Sequence, residues 1–285
     1  MPLNQDGQIK AMVTLLADYD ERTVELVRRS LMGMGEEAIP TLLRATEIGD
    51  TVVRRRLESI LDDIQFRQVE RSFSDWAAGS SEDSDLEEGA FLMARVACPG
   101  LDIEIYRKRL DGMAQSLRDT VQRLKNPRFV IQALNQYLFD KEQFRGNIEN
   151  YYDPNNSYLN QVLDRRIGIP ISLSVVYLLL ARRLGLPVTG VGLPGHFILK
   201  YESADFTAYL DPFNEGQILS REDCLRFLSN SGYGDNENHL ASVSNRNIIL
   251  RMIRNLIYIY TQIKDDDMVE RFNQLSRILG PPIPF

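Results

Sequence analysis

Residues 146–216 read GNIENYYDPNNSYLNQVLDRRIGIPISLSVVYLLLARRLGLPVTGVGLPGHFILKYESADFTAYLDPFNEG. Within them, Leu173, Val176, Tyr177, Leu180, Ala181 and Leu184 recur at helical spacing with further apolar residues between. The run over 172–184 therefore predicts a helix buried on most sides. Gly168-Ile169-Pro170 breaks the chain ahead of it, Pro170 suits a first helical turn, Gly185 closes the helix and Pro187 prevents continuation. Strands are predicted over 188–192, 196–201 and 206–211. Alternation places Phe197, Leu199 and Tyr201 on one face with Phe206, Ala208 and Leu210, and His196, Ile198 and Lys200 on the other with Thr207, Tyr209 and Asp211. With a turn centred on Ser203 and Ala204, His196 and Asp211 become direct cross-strand partners, their Cβ atoms roughly 5 Å apart. A carboxylate beside an imidazole fixes its tautomer and raises its basicity. That is two thirds of a nucleophile, base and orienter triad.

Outward from this stretch the chain reads mainly as helix. Upstream, Asp153-Pro154-Asn155-Asn156-Ser157 predicts a turn leading into a short helix, with Asn156 or Ser157 as N-cap and Leu159 and Val162 pointing inward. Helices are expected over 86–97, ended by Pro99-Gly100, over 101–124, and from Pro127. Cys98, at the end of the first of these, is expected as a small buried apolar residue. Residues 77–85, AAGSSEDSD, are the best linker candidate. Before them lie a helix begun at Asp20 and stopped at Gly33 or Gly35, a second over 36–46 and a third over 50–65. Val24, Ser30 and Leu31 superpose on Val53, Ser59 and Ile60 at a constant offset, a HEAT-type self-similarity that an ordinary set of helical hairpins also explains. Downstream, Ser220 caps a helix to Leu228, the loop SGYGDNEN leads to His239 with no evident partner, and helices over 247–264 and 266–279 form a hairpin.

Composition narrows the classes of function. A chain of 285 residues with 44% apolar and 26% charged residues has the make-up of an ordinary globular protein. A net charge of -7 leaves no broad basic stripe for phosphates, and the Arg54-Arg55-Arg56 and Arg182-Arg183 clusters read as solvated helix faces. The longest apolar run, 175–181, is far short of a bilayer span, and the N-terminal residues lack the pattern of a signal peptide. With only Cys98 and Cys224, a disulfide framework is excluded and a cytoplasmic location is expected. His196 and His239 have no neighbours at metal-ligand spacing, so no metal and no cofactor are expected.

The series YYDPNNSYLNQVL, RRIGIPISLSVVYLLLARRLGLP, GVGLPGHFILKY and YLDPFNEG, set within residues 85–230, resembles the SirB-type bacterial branch of the transglutaminase-like superfamily. The resemblance implies a papain-like α+β fold, mostly helical: a central helix beside a small antiparallel sheet, with a nucleophile at the helix start and His and Asp on the sheet. The expected division is a helical region over 1–78, HEAT-like by its self-similarity, then a transglutaminase-like core over 86–235 and a C-terminal helical hairpin over 245–280, which the resemblance reads as a remnant of the tetratricopeptide-like region found in that branch.

His196 and Asp211 match the last two positions of the superfamily's triad. Where active members carry a cysteine this sequence has Gly168-Ile169-Pro170-Ile171-Ser172, so Ser172 is the nearest possible nucleophile and first-turn hydrogen bonding is its alternative role. Asn156, Tyr177 and Tyr209 complete the candidate set as binding residues. The expected function is a scaffold without acyl-transfer activity that binds a peptide or protein, with no nucleic acid or membrane partner and no oligomeric state assigned. The alternatives are a hydrolase using Ser172, His196 and Asp211, or one that brings Cys98 or Cys224 to His196.

Overall fold

The computed structural model describes residues 5–79, 85–234 and 236–280. The described residues up to Ser72 form one compact unit and those from Phe73 onward another. The first contains helices α1 (Gln5–Leu15), α2 (Glu21–Met34), α3 (Ile39–Ile48) and most of α4 (Thr51–Ala78). Val24 and Leu31 of α2 join Val53 and Ile60 of α4 in one buried cluster with Ile9, Leu16, Leu42 and Leu57. Asp20 caps α2 by accepting from the Arg22 amide, and Gly35 ends it at φ 63°. The helix expected over 36–46 is shifted: a single tight turn, Gly35–Ala38, precedes α3, because Pro40 belongs in a first turn. The helix expected to stop at residue 65 instead runs on to Ala78, since Phe66, Val69 and Phe73 extend its buried stripe. The linker expected over 77–85 falls largely on 80–84, outside the described residues.

The second unit is α+β and mostly helical. It contains α5 (Leu86–Ala97), α6 (Ile103–Arg123), α7 (Pro127–Asn135), β1 (Arg145–Gly146), α8 (Leu159–Arg165), β2 (Ile167–Gly168), α9 (Pro170–Arg183), β3 (Val188–Val191), β4 (Ile198–Ser203), β5 (Phe206–Asp211), β6 (Gln217–Leu219), α10 (Arg221–Asn230), β7 (Ser242–Val243), α11 (Asn245–Ile263) and α12 (Asp266–Leu279). Strands β1 and β2 pair in parallel, and the other five form an antiparallel sheet in the order β6-β5-β4-β3-β7. Every residue of α9 from Pro170 to Ala181 is buried, with α5, α6, α8, α11, β3 and β4 packed around it.

A helix so enclosed needs its end groups satisfied by protein. At its start, Ser172 Oγ accepts the Ile169 amide at 3.0 Å and donates to the Asn156 carbonyl at 2.6 Å. Gly168 leaves room for that hydroxyl, because a Cβ there would lie 2.7 Å from Oγ. At its close, Gly185 adopts φ 69° and the Leu186 amide donates to the Ala181 carbonyl at 2.9 Å. Arg183 is not the solvated residue its cluster suggested: it forks onto both Glu87 oxygens at 2.7 and 3.0 Å and reaches Asp111 at 2.7 Å. Arg56 is likewise drawn in, to the Leu16 and Asp18 carbonyls. Cys98, expected inside, is exposed, because it lies just past the last turn of α5 as its C-cap.

The hairpin differs from expectation by two residues. Leu199 pairs with Leu210 and Ser203 with Phe206, so the turn is Ala204-Asp205. A shift of two keeps every side chain on its expected face. His196 stands before the first residue of β4 and is not the direct partner of Asp211, which is its diagonal neighbour. Asn156 and Ser157 do not cap α8; Asn156 ends a tight turn begun at Pro154, and Tyr158 holds the cap position. Strands β6 and β7 add the two edges that were not expected.

Replacing Glu87 with Ala leaves the half-buried Arg183 guanidinium with Asp111 as its one carboxylate, beside a long bond to the Leu179 carbonyl. Urea unfolding should show a loss of about 2–3 kcal/mol, at or below the bottom of the ~3–5 kcal/mol range for a broken buried pair, because one charged partner remains.

Candidate active site and binding cleft

The fold brings His196 and Asp211 into direct contact, Nε2 to Oδ2 at 2.7 Å. Asp211 is 4% exposed and all its acceptor positions face donors: Oδ1 takes the amides of Phe213 and Asn214, and Oδ2 takes the Asn214 side-chain amide at 2.8 Å beside the imidazole. Burial alone would raise this carboxyl, but the His196 and Asn214 bonds outweigh it and hold it below its ordinary range. With Nε2 given to the carboxylate, Nδ1 is the nitrogen left for a ligand. The backbone of His196 is fixed from the other side. Arg251, on α11, donates from Nη2 to both the Leu193 and His196 carbonyls at 2.7 Å.

The pair lies on the wall of a cleft of about 650 Å³. Tyr151, Tyr152, Phe213 and Phe227 give it aromatic sides, with Leu193, Ile198, Leu219 and Cys224 between them, and Pro170 stands at the start of α9. His196 lies edge-on to Phe213 at 6.5 Å and tilted against Phe227 at 5.9 Å. Tyr152 is 55% exposed and its ring lies 5.6 Å from that of Tyr258. A smaller arm of about 230 Å³ continues past Pro170 and His196 to Arg251 and Asn255.

The remaining expected residues lie elsewhere. Ser172 is fully buried and is not among the lining residues of either arm; its hydroxyl bonds the Ile169 amide and the Asn156 carbonyl. Asn156 is equally enclosed, giving its side-chain amide to the Asn150 and Tyr151 carbonyls and accepting from Asn147. Tyr177 is buried inside α9, where burial holds its phenol well above the usual value, and its hydroxyl has no partner among the described residues. Tyr209 is buried beneath β5 with Val191, Ile198 and Cys224. Cys224 does reach the cleft wall shared with His196, but it is 1% exposed, and burial followed by the Asp223 and Asp211 charges pushes its thiol up to about 12. A thiol so placed stays protonated at neutral pH and is a poor nucleophile. His239 lies edge-on to Tyr233 at 6.3 Å, so it has a ring neighbour after all.

Sequence reasoning did not find Pro170 as a lining residue, nor the aromatic walls, Asn214 or Arg251. Asn214 carried a usable signal, since Asp-Pro-Phe-Asn is the pattern of an aspartate capping a tight turn. Arg251 carried none, being one charge among several on an amphipathic helix.

A family model described as the transglutaminase-like superfamily matches residues 104–254, which include the central helix, the hairpin, His196, Asp211 and Arg251. The chain belongs to the transglutaminase-like superfamily. A UPF0162 protein of Xylella fastidiosa strain Temecula1 is 38% identical over 202 residues, 68% of this chain and 72% of the relative. One from Vibrio cholerae is 30% identical over 175 residues, 59% of this chain and 64% of the relative. The similarity extends to F-box only protein 21 of Mus musculus, 36% identical over 136 residues, 45% of this chain but 21% of that protein. No solved structure matches. Among the described residues, no helix of this superfamily member is long and apolar enough to cross a membrane.

Because the Asp211 carboxyl is held below its ordinary 3.8, its stabilising contribution is complete above about pH 4 and disappears as pH falls through the lower folded-state value. Asp211→Asn should therefore be less stable than the parent by about 1.5–3 kcal/mol at pH 7, the range for hydrogen bonds to charged groups. The gap should narrow as chemical denaturation is repeated at successively lower pH below about 4. A gap that is constant with pH would mean that the Asp211 charge is not what the contacts stabilise.

Proposed function

We propose that this protein is a non-catalytic member of its superfamily that binds an extended peptide segment of a partner protein in the cleft across His196. The observation that carries the proposal is Pro170, which lines the cleft beside His196 at the first position of α9 and offers no nucleophilic atom. Acyl transfer by this scaffold requires a nucleophile in hydrogen-bond reach of the imidazole. The Ser172 hydroxyl is committed to backbone groups, and the Cys224 thiol is held in its protonated form. Aromatic walls with a partly exposed tyrosine pair at the rim suit an apolar peptide, whose side chains bury area against rigid rings at small entropic cost. The N-terminal helices, taken as HEAT-like, and the α11–α12 hairpin, taken as tetratricopeptide-like, are of the kind that present interaction surfaces. Two free cysteines support a reducing, cytoplasmic location, and the acidic net charge favours a protein partner over nucleic acid.

The catalytic and non-catalytic functions separate under activity-based labelling. Fluorophosphonate and acyl-thioester probes should leave the protein unmodified, whereas Ser172 labelling that disappears in His196→Ala would establish a serine hydrolase. Pro170→Cys supplies the missing atom, and iodoacetamide should then modify the new thiol at least about 10-fold faster than in the Pro170→Cys/His196→Ala double variant. Equal rates would show that the imidazole does not face this position.

Peptides selected from an unbiased linear library should shift the His196 ring resonances on titration. Tyr152→Ala and Phe227→Ala should each weaken them by about 5-fold or more, the scale of an aromatic contact worth over 1 kcal/mol. Selection yielding no peptide that moves those resonances would refute the binding function.

A further inference from the structure

Arg251 faces the smaller arm of the cleft in an unusual electrostatic setting. It is half-buried, and burial pushes its guanidinium pKa down without discharging it. Both hydrogens of Nη2 are used on the Leu193 and His196 carbonyls, and the guanidinium carbon lies 5.6 Å from the Phe197 ring centroid. Nε and Nη1 keep three N–H groups without a described partner, and among the described residues no carboxylate is paired with it. A half-buried cation with no carboxylate partner among the described residues is costly by itself, and an anion entering beside it offsets that cost. The same arm is lined by Pro170 and Ile171 at the start of α9, where the helix dipole also favours negative charge. Asn255 adds an amide donor from the next turn of α11. Two independent sources of positive potential therefore converge on one depression in a chain of net charge -7.

We infer that this arm is a carboxylate subsite: Arg251 and Asn255 take a carboxylate of the bound peptide while an adjoining apolar side chain crosses His196 onto Phe213 and Phe227. The inference rests on the peptide-binding function proposed above and adds the chemistry that sets its register. A singly charged carboxylate matches one guanidinium in a space of about 230 Å³, whereas a phosphate dianion would bring a second negative charge toward Asp211. The carboxylate belongs to a peptide C-terminus or to an acidic side chain, and the two are separable.

Full-length protein is titrated with N-acetyl-Leu-Phe as the free acid, with its C-terminal amide, and with N-acetyl-Glu-Phe amide, following the His196 ring and Arg251 Nε resonances. The free acid should bind about 10-fold or more tightly than the amide, the size of one charge-assisted hydrogen bond. Arg251→Gln should bring acid and amide together. Because Arg251 also holds the backbone at Leu193 and His196, Asn255→Ala is the companion variant: it leaves those bonds in place and should weaken the acid while sparing the amide. If the Glu-Phe amide binds as tightly as the free acid, the subsite stands and takes acidic side chains. If acid and both amides bind equally, the carboxylate subsite is wrong and the peptide-binding cleft survives. Absence of saturable shifts for all three up to about 10 mM also overturns the subsite, and the library selection then decides the cleft on its own.

Discussion

Enclosing α9 along twelve consecutive residues is the constraint to which the rest of the second unit answers. Apolar packing holds such a helix in place sideways but does nothing to prevent it sliding along its axis. The polar ends do that. Ser172 ties the first turn to the Asn156 carbonyl, and Arg183 ties the last to Glu87 on α5 and Asp111 on α6. Ser172, Arg183 and Glu87 are buried or nearly so, and leaving any of them unmatched would cost more than the bond itself contributes. The axial position of α9 is thereby set, and with it the identity of the residue presented to His196. In this chain that residue is Pro170.

The histidine is fixed from three directions at once. Asp211 holds its ring, Arg251 holds its carbonyl and that of Leu193, and Phe213 and Phe227 flank its edges and face. Asp211 in turn depends on the tight turn that follows it, because the side-chain and backbone amides of Asn214 join His196 in holding the carboxyl below its ordinary range, while the Phe213 amide takes a further acceptor position. A fully satisfied buried network of this kind rigidifies its surroundings. Here it joins the exit of β5, the entry to β4 and the middle of α11, three segments distant in the chain.

Much of this arrangement was legible in the residues. The central helix announced itself through unbroken apolar spacing between Pro170 and Gly185, and the faces of β4 and β5 through alternation. Alternation has a period of two, so it cannot distinguish registers two residues apart, and Tyr201-Glu202-Ser203-Ala204-Asp205-Phe206 offers no glycine to mark the turn. That is why His196 and Asp211 were placed on the right face but in the wrong rung. Strands β6 and β7, three and two residues long, are too short to show a period at all. Arg183 and Arg251 escaped for a different reason: a charged residue on a helix reads as solvated unless the elements that will cover it are known. The position of Ser172 was ambiguous in the sequence because the same hydroxyl near a helix start serves equally as nucleophile or cap.

The persistence of a histidine and an aspartate in contact is weak grounds for assigning catalysis to this scaffold. Asp211 caps a turn and Asn214 binds it whether or not the imidazole ever moves a proton. Removing the pair would take away the hydrogen bonds that hold the exit of β5, whereas exchanging the side chain at Pro170 alters the cleft surface and no hydrogen bond of the helix start, since a proline at that position lacks an N–H that the helix does not use. The two halves of the site therefore face unequal structural demands. A change of side chain at the helix end costs folding little, while the sheet end is bound by its own hydrogen bonds. The site holds an oriented imidazole whose second nitrogen has no partner among the described residues, set between aromatic walls and an arginine with no carboxylate partner among them, and those are properties of a recognition surface as much as of an active site.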